Sequence, residues 1–205
     1  YYLLFPLVAV LLGKVSPQRR LAWIAVGFVL SLALSIWQVR TDASLAFYQP
    51  LTRFWEILAG AAVAVLPRGP GSKRMANLLG ALGLLLLAGP LLLYRGDMLF
   101  PGESALPPCL GAALLLYSGQ HEGSSVRAAL AWRPFVFIGL ISYSLYLWHW
   151  PILVGAKYVL FRELSGFETV LALIAMGLAA YASWRWIEQP FRHGTPEGRM
   201  RLFLG

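Results

Sequence analysis

The 205-residue chain is 59% hydrophobic and only 13% charged, with a formal net charge of +8 and a mean hydropathy of +0.66. Soluble domains carry about 25% charged residues, so this composition excludes an ordinary water-soluble fold and points to a chain dissolved in a bilayer. The single cysteine, Cys109, excludes an internal disulfide and argues against a cysteine-based metal site; its expected role is small core filler.

Hydrocarbon demands about 20 apolar residues per spanning helix. In chain order the apolar runs lie at 2–13, 21–38, 54–66, 78–94, 105–118, 134–160 and 167–187. The first is too short to cross alone, and the sequence opens with Tyr1, without a basic n-region or a small-residue cleavage site. It reads as a fragment that begins inside a helix and not as a signal peptide. The runs at 67–71 (PRGPG) and 100–104 (FPGES) read as turns between helices. No composition shift separates a second domain. The expected fold is all-α: one polytopic transmembrane helix bundle over 1–205, about seven helices with the first one partial.

Three places carry polar chemistry within this apolar frame. The first is 48–60 (YQPLTRFWEILAG). Pro50 suits the first turn of a helix, and the short run 54–66 is expected to reach back through 48–52. Arg53 and Glu56, three residues apart, can pair on one face. Gly60 and the small residues of 59–64 would let another backbone approach. Such a pair can hold an anionic group or tune a nearby acid, or it can simply lock two helices together.

The second is 141–151 (ISYSLYLWHWP). Ser142, Tyr146 and His149 stand at i, i+4 and i+7 and share one helix face. An imidazole is costly in lipid and should face a bundle interior or a wet cavity. Pro151 has no amide hydrogen, so the backbone near Leu147 loses a hydrogen bond and should bend close to His149. The stripe can line a cavity, or it can bond to neighbouring helices as packing glue. Chain order sets Arg53 and His149 at similar depths without fixing a contact between them.

The third is 184–192 (WRWIEQPFR). Gln189 precedes a proline, so the helix should end there. Arg185 and Glu188 have helical pair spacing and Arg192 follows just beyond. This is a structural terminus, or a basic lip that greets a phosphate-bearing donor.

The distribution of charge sets an orientation. Lys14, Arg19, Arg20, Arg68, Lys73, Arg74, Arg127 and Arg133 fall in the odd connections between spans, with Arg192, Arg199 and Arg201 in the tail. The even connections hold Arg40, Arg95 and Arg162, offset by Asp42, Asp97, Glu103 and Glu163. By the positive-inside rule the odd connections and the C-terminus are cytoplasmic. No basic surface interleaved with aromatics suggests nucleic acid.

These residues resemble the C-terminal part of the membrane acyltransferase-3 family, the O-antigen acetylase-like integral membrane O-acyltransferases of bacteria. The resemblance rests on five motifs in order: YYLLFP at 1–6, the Arg-x-x-Glu core of 48–60, FPG at 100–102 leading into GAA at 111–113, 141–151, and IEQPFR at 187–192. It implies a bacterial inner-membrane enzyme that transfers an acyl group, commonly acetyl from acyl-CoA, to a hydroxyl of a cell-envelope glycan or lipid-linked acceptor. Acyl-CoA would be the donor substrate; no bound cofactor and no metal are implied. The family's principal histidine and paired arginines are expected upstream of Tyr1, in helices absent from this sequence. An SGNH-type esterase domain after the bundle is also implied, with 201–205 as the start of a helix leading to it. By position, Arg53, Glu56, Ser142, Tyr146 and His149 are pocket or supporting candidates, and Arg185, Glu188 and Arg192 are candidates on the donor side. The rivals are half of a transporter or flippase, weakened by the lack of paired broken segments, and a non-catalytic membrane partner.

Overall fold

A computed structural model describes residues 10, 13, 15–66, 69–95 and 98–193, and these form helices and connecting turns with no strand among them. The expected span at 2–13 lies almost wholly outside the described residues, as do Lys14, Arg68, Asp97, Arg199, Arg201 and the 201–205 segment. The chain divides into two compact units, one within Tyr1–Ala129 and the other within Leu130–Gly205.

In the first unit, α1 (Pro17–Thr41) opens with proline at its first position, where the missing N–H costs nothing. Asp42 ends it and starts α2 (Ala43–Tyr48), its carboxylate accepting the Leu45 N–H at 2.9 Å. A 3-10 turn, Pro50–Arg53, leads into α3 (Phe54–Val65). The expected backward reach of this helix is therefore broken at Gln49, which is extended at φ −74°, ψ 126°. Crowding by the proline ring disfavours the helical region for the residue before it. Next come α4 (Lys73–Leu93), capped by the Ser72 hydroxyl, a second 3-10 turn at Gly102–Ala105, α5 (Leu106–Ser118) and α6 (Ser125–Leu130).

The second unit holds α7 (Arg133–Leu160) and α8 (Gly166–Ser183). Ser165 and Glu168 cap α8 reciprocally, and Arg162 binds the same carboxylate at 2.7 and 2.9 Å. α7 runs without interruption through Pro151. A π-helical turn, Trp184–Glu188, follows α8 and passes directly into α9 (Gln189–His193). The expected stop at Gln189 does not occur. Its N–H reaches back five residues to the Trp184 carbonyl, and the backbone stays helical at φ −59°, ψ −48°. The wide turn resets the hydrogen-bond register before Pro190, so the pre-proline bias is overridden.

Among the described residues four helices are long and apolar enough to cross a membrane: Gln18–Thr41, Lys73–Leu93, Arg133–Leu160 and Gly166–Arg192. The expected spans at 54–66 and 105–118 correspond to helices of only 12 and 13 residues. At 1.5 Å per residue these measure about 20 Å, short of the ~30 Å hydrocarbon.

Close backbone packing occurs between α4 and α5. A Cβ on Gly111 would lie 2.8 Å from the Gly83 carbonyl oxygen, and a Cβ on Gly83 would lie 2.8 Å from that of Gly111. At Gly60 an added Cβ would meet nothing within 4 Å. The close approach expected at Gly60 is thus found at Gly83 and Gly111 instead, because α3 is buried on its Leu58, Ala59 and Val63 side. Gly111→Ala should cost about 1–3 kcal/mol through overpacking against backbone, seen as a lower melting temperature in detergent. Gly60→Ala should hold or raise that temperature, since alanine favours an open helix position.

Candidate functional site

In the first unit a polar seam runs along α1. Ser31, Ser35 and Gln38 stand at i, i+4 and i+7 and all are buried. The Ser31 hydroxyl donates to the Leu51 carbonyl at 2.6 Å and accepts the Trp55 N–H at 2.9 Å. It thereby satisfies the backbone where the 3-10 turn becomes α3. Thr52, fully buried, places its hydroxyl 2.6 Å from the Ala46 carbonyl and 2.7 Å from that of Gln49. Trp55 is also fully buried and meets the Phe28 ring edge-on at 5.7 Å. Its indole N–H and the Gln49 side-chain oxygen are buried without hydrogen-bond partners.

This frame presents Arg53 and Glu56. The Arg53 Nε lies 3.1 Å from Glu56 Oε1 and a terminal nitrogen 3.2 Å from Oε2, a two-pronged pair with each side chain about 30% exposed. The guanidinium also sits 5.3 Å from the centre of the Phe47 ring. Cys109 of α5 contacts the Glu56 carbonyl at 3.9 Å, which ties this end of α3 to a second helix. The expected pairing is present. The planar fork is suited to a carboxylate, phosphate or developing oxyanion.

On the other side of the seam, Ser35 accepts the Gly102 N–H at 3.2 Å. Gly102 has φ +49°, and a Cβ there would come 2.9 Å from Val39. The Phe-Pro-Gly turn thus requires glycine for both conformation and space. Tyr94 donates to the Ser104 carbonyl at 2.5 Å, and Arg40 pairs with Glu103, closing the turn onto α1.

In the second unit, α7 is buried at Ile141 and Ser144. Ser142 and Tyr146 are exposed and His149 is partly exposed. The Ser142 hydroxyl donates to the Gly139 carbonyl at 2.7 Å, the His149 Nδ1 lies against the Tyr146 carbonyl, and the Tyr146 and His149 rings are 5.3 Å apart. The three residues do form one stripe. Within this unit the Ser142 hydroxyl and the His149 Nδ1 are held by their own helix, and the stripe lies apart from the buried Ile141 and Ser144.

The acidic residue of the third cluster has other partners than its spacing implied. Glu188 accepts the Ser144 hydroxyl at 3.2 Å and the Arg192 Nε at 3.0 Å, with its side chain only 14% exposed. Arg185 is exposed and is not its partner, because the π turn rotates residues 185 and 188 away from the α-helical i, i+3 relation. Ser144, 1% exposed, escaped the sequence reading. Ser142 and Ser144 point to different sides of one helix, and nothing local marks which side meets a carboxylate. The Ser31–Ser35–Gln38 seam was readable as polar residues at helical spacing within an apolar run.

The family model described as an acyltransferase domain matches residues 1–185. BcsY of Komagataeibacter xylinus, provisionally named a membrane-bound transacylase, is 32% identical over 176 residues, which is 85% of this chain and 44% of the relative. The peptidoglycan O-acetyltransferase OatA of Listeria monocytogenes is 29% identical over 94% of this chain and 33% of its own length. The O-acetyltransferase OatA of Staphylococcus aureus is 26% identical over 94% of this chain and 34% of its own. The chain therefore spans less than half the length of these relatives. No solved structure matches it.

Ser31→Ala should leave the Leu51 carbonyl and the Trp55 N–H without their buried partner, at a cost of about 1–3 kcal/mol. Thermal unfolding in detergent should show a lowered midpoint; an unchanged midpoint would mean that other groups satisfy this junction.

Proposed function

The chain belongs to the acyltransferase-3 family of membrane proteins, and on that premise we propose that it forms part of a membrane O-acyltransferase. The whole protein moves an acyl group, most simply acetyl, from acyl-CoA to a hydroxyl of a cell-envelope glycan or lipid-linked acceptor. The observation that carries this reading is the family match across residues 1–185. Relatives whose names specify O-acetyl transfer align over nearly the whole chain.

Acyl transfer to a hydroxyl needs three things: a group that takes the hydroxyl proton, positive charge where the carbonyl oxygen becomes an oxyanion, and a grip on the anionic donor. Arg53 suits the second or third of these tasks. Glu56 holds the guanidinium in a fixed orientation and partly offsets its charge. His149, with Ser142 and Tyr146, lines the acceptor or donor path. Arg185 and Arg192 receive the donor's phosphates from the cytoplasm. The principal proton acceptor belongs to helices that precede Tyr1 in the whole protein, and an SGNH-type domain follows the bundle.

The membrane is the bacterial inner membrane, with the end of this chain in the cytoplasm. Ion pairing supports that orientation. On the side read as external, Arg40 pairs with Glu103, Lys157 with Glu163 and Arg162 with Glu168. The Arg40–Glu103 pair puts the end of α1 and the second 3-10 turn on one side, as that orientation requires.

The test uses the full-length protein in proteoliposomes, with labelled acetyl-CoA and an acceptor glycan. Arg53→Ala, Glu56→Ala and His149→Ala should each lower acetyl transfer about 10-fold or more, equivalent to ~1.4 kcal/mol of barrier, without loss of expression. Wild-type rates in all three would overturn the site assignment. Acceptor movement across the bilayer with no label transferred by the unaltered protein would overturn acyl transfer in favour of transport.

A further inference from the structure

The π turn after α8 has a geometric effect. Ala172, Met176 and Ala180 form the buried face of α8. At about 100° per residue, an unbroken α-helix would point Glu188 roughly 120° away from the centre of that face. The π turn inserts one residue without continuing the rotation and takes back about 100° of it. Glu188 thus comes onto the buried side, where its carboxylate meets Ser144 of α7. Arg192, four residues on, balances the charge. The Trp184 ring, in the same turn, packs edge-on to Phe137 of α7 at 6.1 Å, and its indole N–H is buried without a partner.

This placement is costly. Ser144 lies eleven residues into α7 from Arg133, about 16 Å along the axis, and residues 134–141 between them are almost all apolar. The Glu188 side chain is only 14% exposed while that of Arg192 is 57% exposed, so the carboxylate gives up water that its partner keeps, and such a pair adds little net stability. Helix packing alone does not explain it. An intramembrane ionisable group held this way marks function.

We propose that Glu188 is a positioning residue for acyl transfer: through its hydrogen bond to Ser144 it sets the rotation of α7, and so the direction in which the Ser142, Tyr146 and His149 stripe faces. A hydrogen bond to a carboxylate is directional and adds a bearing to the apolar contacts of Phe137 with Tyr181 and Trp184. His149 lies five positions beyond Ser144 on the same helix, so fixing the first fixes the bearing of the second. The role in transfer rests on the acyltransferase reading above; the control of α7 rotation does not.

Two measurements on the full-length protein test it. Glu188→Ala and Ser144→Ala should each lower kcat for acetyl transfer about 10-fold, with KM for acetyl-CoA nearly unchanged in Ser144→Ala, which keeps the Glu188–Arg192 pair, and the double variant should lose no more than Glu188→Ala alone. Ser144→Thr, which keeps the hydroxyl, should restore the rate. Ser144→Ala keeps the Glu188–Arg192 pair, so its melting temperature in detergent should stay near that of the unaltered protein. Unchanged kcat, or a loss that follows the melting temperature and is not rescued by threonine, overturns the proposal. Independently of activity, Tyr146→Cys in a Cys109→Ala background reports the stripe's exposure through its rate of maleimide labelling. Adding Glu188→Ala should change that rate several-fold, and equal rates overturn the control of rotation. A protein that transfers no acetyl at all but shows the labelling change refutes the acyltransferase reading and leaves the rotational role standing.

Discussion

Buried backbone and side-chain polar groups in an apolar chain have to find partners inside the protein, because hydrocarbon offers none. Long helices meet that demand along their length, and the difficulty concentrates where helices break. Gln49 and Pro50 interrupt the path from α2 to α3, and the hydroxyls of Ser31 and Thr52 close the gap by bonding the carbonyls of Leu51, Ala46 and Gln49. The Phe-Pro-Gly turn is solved in the same way, with Ser35 accepting the Gly102 N–H. One buried face of α1 therefore serves two breaks, and Arg53 and Glu56 owe their position to the first of them.

Helix pairs also need a reason to adhere in lipid, where burying leucine against leucine gains little over leucine against an acyl tail. The structure shows three solutions. α4 and α5 use glycines that bring backbone into contact at Gly83 and Gly111. α1 and α3 combine a tryptophan wedge with the serine seam. α7 and the segment after α8 use a carboxylate, Ser144 and the edge-on rings of Phe137 and Trp184. The first solution is purely steric. The last carries charge, and charge is where chemistry can be attached.

Among its ion pairs each unit thus includes one that stands against packed helix faces. Arg53 and Glu56 stand on the first, Glu188 and Arg192 on the second. The two differ in character. The fork of Arg53 is a third exposed and aromatic on one side, which suits recognition of an anion. Glu188 is nearly enclosed and linked across helices, which suits alignment. Acyl transfer to a hydroxyl requires both a cation near the reacting carbonyl and precise orientation of the groups around it.

Composition and spacing by themselves determined the class of protein: apolar runs without strand periodicity can satisfy their backbone in lipid only as helices. They also determined the Arg53–Glu56 pair and the shared face of Ser142, Tyr146 and His149, since both follow from 3.6 residues per turn. Tertiary structure decided what local periodicity cannot express. It moved the close backbone contact from Gly60 to Gly83 and Gly111, because only a facing helix shows which small residue is approached. It replaced the expected stop at Gln189 with a π turn and gave Glu188 to Ser144 and Arg192, not Arg185. One inserted residue rotates every side chain beyond it by about 100°, and that rotation is resolved only by the helix packed alongside.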